Sequence, residues 1–368
     1  MQNWEFDTWH MDRAIDLAQR GEGLVEPNPM VGCTIVRDGE TVGEGFHQRF
    51  GGPHAEIEAL TSAGPRAEGA TVYTTLEPCC HQGKTGPCTQ ALVRARVSRV
   101  VVAQRDPFPQ VAGRGIAELE QAGIEVEVGL LESDARQLNA PYLKLVQTGR
   151  PWIIAKWAIT LDGRLASHSG DSRWISGPAS HELVHRLRGR VDAILIGRGT
   201  AAFDDPLLTA RPSGPRTATR IVLDSQASLA VGSQLACTAR DVPVIVAAAS
   251  QSPPENRQRL TAAGCEVLIC PGSSPAERLI WLLDELGRRR MTNVLVEGGS
   301  RLFGSLFDAG QIDEVHTFIA PKLIGGEQAP SAVGGTGVAR MTDALNLASP
   351  QIKQCGTDVY VHGRIARA

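Results

Sequence analysis

His54-Ala55-Glu56, Glu77-Pro78-Cys79-Cys80 and Pro87-Cys88 carry the residue types of a zinc site. One imidazole and two thiolates can bind the ion and leave its fourth position to water, which then becomes acidic enough to supply hydroxide near neutral pH. Glu56, two residues past the imidazole, is placed to move that water's protons without binding the metal. His54, Cys79 and Cys88 are therefore read as ligands and Glu56 as the catalytic proton shuttle. The competing arrangement is a closed structural site that also recruits His81 or Cys80. It would leave Glu56 without a task.

An alternation of helix and strand signals has to position these groups. Apolar residues recur at helical spacing over 8–19, and 31–36 and 41–46 flank an Asp38-Gly39 turn as a hairpin. Further helices are expected over 54–60, 89–95, 116–122 and 133–147, and strands over 70–76, 99–103 and 124–128. His54 and Glu56 thus open one helix and Cys88 another, whose positive end favours thiolate. The order implies α/β/α layers around a mixed sheet.

Gly149-Arg150-Pro151 breaks the pattern, so one domain is expected over 1–148 and a second over 149–368. Strands are expected in the second over 151–158, 191–196, 220–223, 242–247, 266–269, 294–296 and 314–319, with a last edge strand at 359–363. Helices fall at 181–188, 276–288 and 302–309, which implies a second α/β domain with a large mixed sheet. Two strands there run into glycines. One ends in Gly298-Gly299 before a helix, where backbone amides could cradle a phosphate, and the other enters a glycine loop at 197–200. No Gly-x-Gly-x-x-Gly follows a strand, so a Rossmann site is not supported.

A formal charge of -3 leaves no basic field to gather nucleic acid. No apolar run reaches the length of a bilayer span, and Met1 to His10 is polar and aromatic, unlike an export signal. A cytoplasmic enzyme with neither membrane nor nucleic-acid partner is expected. The eight cysteines cluster once and otherwise scatter among apolar neighbours, which fits thiols plus a metal site better than a disulfide framework. Apolar sheet edges and helix faces permit a homo-oligomer, a dimer or tetramer.

Zinc-dependent base deaminases share the His-x-Glu and Pro-Cys logic, and many space their cysteines as Cys-x-x-Cys. Here eight residues separate Cys79 from Cys88. With Pro27-Asn28-Pro29-Met30-Val31-Gly32, His47, Gly52-Pro53-His54-Ala55-Glu56, Asp106-Pro107 and the 111–115 run, the chain resembles the bifunctional deaminase/reductases of riboflavin biosynthesis. That family removes the 2-amino group of a diaminopyrimidinone carrying a ribosylamino 5-phosphate. The resemblance implies a cytidine-deaminase-like first domain in which Asn28 and His47 bind the pyrimidine and His81 and Lys84 lie on a loop over it. Cys80 stands where the family usually has Ser, and Gly86 where it often has Pro.

The second half follows the family's reductase in order through Lys156 to Arg164, Ser172 to Ile175, Arg198-Gly199-Thr200, Asp204 to Thr209 and Val296 to Gly299. That half is similar in fold to dihydrofolate reductase and uses NADPH to turn the ribose into a ribityl chain. The resemblance implies NADPH contacts at Ile159, Trp174, Thr200, Asp204, Ser225, Gly298, Gly299, Ser300, Arg301 and Leu302. It implies substrate contacts at Lys156, Ser172, Leu208, Arg211 and Glu297, with Arg188 a further phosphate candidate and Lys156 also a catalytic candidate. Arg216 reads as basic surface, while Asp162 and Asp204 could equally cap turns or helices. The alternative is a nucleoside or RNA base deaminase whose second domain is a binding module; the near-neutral charge and the long spacing from Cys79 to Cys88 argue against it.

Overall fold

The computed structural model describes residues 3–82 and 86–366, which form two compact units, Met1–Gly149 and Arg150–Ala368. In the first, strands β1 (Gly32–Arg37), β2 (Glu40–Phe46), β3 (Thr71–Thr74), β4 (Arg99–Val102) and β5 (Glu125–Val128) make one sheet in the order β2-β1-β3-β4-β5. β1 runs antiparallel to both neighbours, and β3, β4 and β5 are parallel. The helices are α1 (Asn3–Gln19), α2 (Ala55–Ala63), α3 (Cys88–Ala95), α4 (Arg114–Gln121), α5 (Glu132–Leu138) and α6 (Ala140–Thr148).

Strand alternation sorts these helices onto two faces. Val72, Val100 and Val102 share a core with Ala55 and Ala59 of α2, Leu92 of α3, Leu119 of α4 and Tyr142 of α6. Tyr73 and Val101 point the other way, to Met11 and Ala14 of α1 and Ala135 of α5. The α/β/α layering follows. α2 lies directly on β2: a Cβ on Gly45 would stand 2.4 Å from the Ala55 carbonyl, so only glycine lets the helix carrying Glu56 sit that close.

The second unit has one nine-stranded sheet. Its strands are β6 (Trp152–Thr160), β7 (Ala193–Gly197), β8 (Thr219–Leu223), β9 (Val244–Ala249), β10 (Glu266–Cys270), β11 (Asn293–Val296), β12 (Glu314–Ala320), β13 (Leu347–Cys355) and β14 (Asp358–Ile365), in the order β10-β9-β8-β7-β11-β6-β12-β14-β13. All are parallel from β10 to β12, and β14 and β13 pair antiparallel at the end. α7 (Pro178–Arg188), α8 (Arg198–Asp204), α9 (Gln234–Cys237) and α10 (Pro254–Ala263) pack on one face with Ile154, Ile194, Ile196 and Val222. α11 (Pro275–Arg288) and α12 (Ser300–Asp308) pack on the other with Ile153, Leu195 and Ile221.

Four expectations are corrected. The helix over 133–147 is two helices, because the Asn139 side chain turns aside to bond both the N–H (2.8 Å) and C=O (2.9 Å) of Met30. Pro141 then opens α6. The strand at 359–363 is not the edge: β13 lies outside it. β13 escaped notice because it is exposed along most of its length and so has no apolar alternation, and Pro350 falls at its irregularity between Ala348 and Gln351. The glycine loop at 197–200 is the first turn of α8. α10 was not expected because only Leu260 in it is buried.

Candidate active site

In the first unit, the zinc-type donors come together. His54 caps α2 in an extended conformation (φ -80, ψ 164), Cys88 begins α3, and Cys79 lies in the segment that leaves β3. His54 Nδ1 stands 3.5 Å from Cys79 Sγ and 3.3 Å from Cys88 Sγ, and the three donor atoms all lie within 4.8 Å of one another. Hydrogen bonds from the Cys88 side chain outweigh burial and, with His54, pull the Cys79 thiol down to about 4. Cys88, the sulfur that donates, is pushed up. The bond to Cys79 raises His54 against its burial. Glu56 is 3% exposed, and burial raises its carboxyl against the pull of His54. A buried carboxyl raised above its ordinary value suits proton transfer in both directions.

Asn28 and His47 border the cluster. The Asn28 amide Nδ2 donates to His47 Nε2 at 3.2 Å, and His47 Nδ1 donates to the Pro53 carbonyl at 2.8 Å, which sets one tautomer of a neutral ring. Burial lowers the His47 pKa, and its ring packs edge-on against His54 at 5.3 Å. Cys80 turns away to the Gln110 carbonyl (3.6 Å) and His81 packs near Phe108 (6.0 Å between rings), so neither joins the cluster. Among the described residues, the donor set is three, not a closed four.

A residue the motifs contained without a role, Glu77, fastens this region. Its buried carboxylate accepts from the amides of Asp106 (3.3 Å), Gly113 (3.0 Å), Gly115 (2.9 Å) and Ile116 (3.3 Å). It thereby supplies the cap that the start of α4 otherwise lacks. Asp106, pushed up to about 6 mainly by burial, accepts from Tyr142 Oη at 2.9 Å.

In the second unit, charge is concentrated below the ends of β6 and β11. The Arg188 fork grips Glu297 through Nε (2.6 Å) and Nη2 (2.9 Å), and Lys156 Nζ lies 3.7 Å from the same carboxylate. Burial alone would raise Glu297; Arg188 and Lys156 overcome it and hold the carboxyl at about 2. Burial lowers Lys156 while Glu297 opposes that shift. Beside this triad, β7 and β11 are neighbours, so α8 and α12 start side by side. Thr200 Oγ1 is 3.7 Å from where a Cβ on Gly299 would stand, and nothing lies within 4 Å of such an atom on Gly197 or Gly199. That open floor of main chain is what an extended phosphate cofactor needs.

Residues 4–104 match the family model of the cytidine and deoxycytidylate deaminase zinc-binding region. Residues 151–361 match that of the RibD C-terminal domain. The Escherichia coli riboflavin biosynthesis protein RibD is 42% identical over 363 residues, covering 97% of this chain and 98% of that protein. The chain belongs to the RibD family. The RibD of Actinobacillus pleuropneumoniae is 39% identical, with 96% of this chain and 94% of that protein covered. Among solved structures, Acinetobacter baumannii RibD superposes with a TM-score of 0.87 at 37% identity, covering 99% of this chain and 100% of that one. The Thermotoga maritima diaminohydroxyphosphoribosylaminopyrimidine deaminase/5-amino-6-(5-phosphoribosylamino)uracil reductase reaches 0.84 at 32% identity, covering 99% and 100%. As a RibD, the chain is a bifunctional deaminase and reductase of riboflavin biosynthesis, with a zinc-binding deaminase domain and a reductase domain. Among the described residues, no helix is long and apolar enough to cross a membrane.

Within this chain the residues singled out from the sequence meet different fates. Ser172 Oγ donates to Asp204 Oδ1 at 3.2 Å, which joins two of them, while Trp174 is exposed with its ring 5.3 Å from His181. Ile159 lies in β6, Ser225 is exposed just past β8, and Ser300 and Arg301 open α12. Leu208 and Leu302 have their side chains in the core, because both are large apolar groups beside the sheet; any ligand contact there is through backbone. Gly298 is not open, since a Cβ there would meet Leu302 at 2.7 Å. Arg188 pairs with Glu297 through Nε and Nη2. Arg216 is no solvated surface group but pairs with Asp192. Asp162 is structural: it accepts from Thr160 (2.5 Å) and from the Gly325 amide (2.8 Å). Lys84 lies outside the described residues. His181 and His185 were missed, although with Arg188 their spacing marks one face of the expected helix.

Proposed function

We propose that the first unit hydrolyses an exocyclic amine from a diaminopyrimidinone carrying a ribosylamino phosphate, and that the second reduces the ribose of the product to a ribityl chain with NADPH. The observation that carries this reading is the convergence of His54, Cys79 and Cys88 beside buried Glu56. One imidazole nitrogen and two sulfurs fit zinc in both ligand type and number, with a position left open. Zinc, when bound by these three residues, supplies Lewis acidity and lowers the pKa of water at that position. Glu56 takes a proton from the attacking water and returns it to the departing amine, so that a C–O bond replaces the C–N bond and ammonia leaves. Asn28 and His47, bonded to each other, hold the pyrimidine edge against this pair.

The open glycine floor at the starts of α8 and α12 fits the pyrophosphate of NADPH, with Ile159, Trp174, Thr200, Asp204, Ser225 and residues 298–302 around it. NADPH, when bound, supplies the hydride. The sugar carbon takes the hydride as its bond to the ribose ring oxygen breaks, and Lys156, held by Glu297, supplies the proton to that oxygen. Ser172, the Leu208 backbone and Arg211 orient the substrate, and Arg188 sets Glu297.

The test follows ammonia release and NADPH oxidation separately in zinc-replete, full-length protein given the diaminopyrimidinone ribosylamino phosphate. Ammonia is expected without NADPH, and NADPH is expected to be consumed only once deaminated product exists. Ammonia with no later NADPH oxidation would overturn the reductase half. No ammonia from folded, metallated protein would overturn the deaminase substrate.

A further inference from the structure

We propose that His185 is a positioning residue of the reductase site: it ties the 209–211 segment to α7 and so aims Arg211 at the substrate's phosphate. This rests on the reading of Arg211 as a substrate contact.

His181, His185 and Arg188 share one face of α7. Arg188 is engaged by Glu297, which leaves the exposed side chain of Arg211 as the guanidinium available to an incoming anion. Among the described residues, no side-chain hydrogen bond or ion pair holds the Arg211 guanidinium. Its backbone is fixed, and the fixing group is an imidazole. The Arg211 N–H meets His185 Nδ1 at 3.3 Å, and the Thr209 carbonyl lies 3.2 Å from the same nitrogen. One nitrogen cannot both accept from an N–H and donate to a carbonyl. The direction of the Arg211 N–H is set by its peptide plane, whereas the ring proton can reside on Nε2. With the ring proton on Nε2, Nδ1 accepts from Arg211; with it on Nδ1, the ring donates to the Thr209 carbonyl, and either tautomer ties the segment to α7. Burial, with Arg188 and Arg211 nearby, lowers the His185 pKa against the Thr209 contact and so favours the neutral ring.

The rest of the segment is held by other means. Upstream, Arg220 Nη1 donates to the Leu207 carbonyl at 3.3 Å. Downstream, main chain rests on main chain: a Cβ on Gly214 would stand 2.4 Å from the Gly189 carbonyl, and the Arg216 amide donates to that carbonyl at 2.9 Å. Between these two anchors, the His185 contact is the one that sets Arg211 itself.

The experiment is a double-mutant cycle on full-length, zinc-replete protein, with the deaminated ribosylamino phosphate as substrate. Arg211→Ala is expected to raise KM for this substrate roughly ten- to hundredfold, the size of a lost charged hydrogen bond. His185→Leu is expected to raise it about fivefold, the size of a lost neutral one, with kcat held. With Arg211 already replaced, His185→Leu should add less than about twofold, since its effect acts through that side chain. His185→Asn, whose amide oxygen stands where Nδ1 does, should restore KM to within about twofold of the parent. KM for NADPH and the rate of ammonia release monitor folding in every variant. A full fivefold loss from His185→Leu in the Arg211→Ala background would overturn the positioning role, and so would an Asn variant as impaired as the Leu variant. An Arg211→Ala protein with unchanged KM would instead overturn the assignment of Arg211 to the phosphate.

Discussion

Replacing Glu77 by Gln changes one atom and should loosen the lower wall of the deaminase site. Oε1 accepts from Gly115 and Ile116 (2.9 and 3.3 Å) and Oε2 from Gly113 and Asp106 (3.0 and 3.3 Å). A glutamine can present its oxygen to only one of these pairs. Whichever way the amide turns, the other pair faces an NH2 and two N–H groups lose their acceptor. A buried donor left unsatisfied costs about 1–3 kcal/mol, and in either pair one of the two bonds is long, so the local loss is about 2–4 kcal/mol. The segment from Asp106 to Ile116 carries Gln110 and Phe108, against which Cys80 and His81 rest. Its opening should therefore slow deamination while leaving reduction of the deaminated product alone. Hydrogen exchange followed by mass spectrometry reads the effect directly. At about 1.4 kcal/mol per tenfold, amides across 106–116 should exchange at least about twentyfold faster, with the second unit unchanged. An acceleration below about threefold would mean that the four contacts carry no local stability, and the argument for Glu77 would fail.

Three further outcomes follow from the same geometry. Glu56→Gln should retain zinc by elemental analysis and keep reduction, yet lose at least about a hundredfold in ammonia release, because its proton transfer is gone; normal deamination would remove Glu56 from the mechanism. Arg220, fully buried with contacts to Leu207, Thr238 and Val242, has only carbonyl and hydroxyl partners. Arg220→Met should strand those acceptors and cost the second unit about 2–4 kcal/mol in urea denaturation, most of it from unsatisfied acceptors. His10 is buried with both ring nitrogens unbonded, and burial depresses its pKa below the ordinary 6.5. The fold therefore favours the neutral ring: that stability is fully present above pH 6.5 and is lost as pH falls from there through the folded value. His10→Phe should flatten the decline in the first unit's Tm between about pH 7 and 5, and an unchanged slope would refute it.

The deaminase donors were legible because each sits where local chain chemistry is strong: His54 caps one helix, and Pro87 caps another that Cys88 opens. The sheets were legible wherever a strand alternates between two cores, as Val100, Val101 and Val102 do. Legibility failed where tertiary contacts decide. Asn139 breaks a helix by bonding Met30, more than a hundred residues away, and no local pattern encodes that partner. β13 is an exposed edge, so burial never wrote a period into it. Arg188 read as a free guanidinium because Glu297, its partner, lies 109 residues further on. Its helix neighbours His181 and His185 could have been found from spacing alone, had the face been read together with the charge.

Both units build their chemistry at strand-to-helix junctions, and this has a consequence for how each site can vary. Cys79 follows β3, and α8 and α12 start where β7 and β11 end. At such junctions the first turn of the helix leaves N–H groups unbonded, and the parallel strands leave their ends uncovered. Polar groups are thus supplied by the backbone at positions set by packing, such as Gly45 under α2 or Leu302 behind Gly298. Side chains then need to add only what a backbone cannot: a metal ligand, a proton carrier and a fixed charge. In the first unit these are the three donors and Glu56. In the second, Arg188 and Lys156 surround Glu297 and hold its carboxyl at about 2. Arg188 and Glu297 are accordingly a fixed charged pair beside Lys156, whereas the Glu56 carboxyl is raised by burial. On the proposed reading, one site moves protons through a raised carboxyl and the other keeps its carboxylate ionised against two cations.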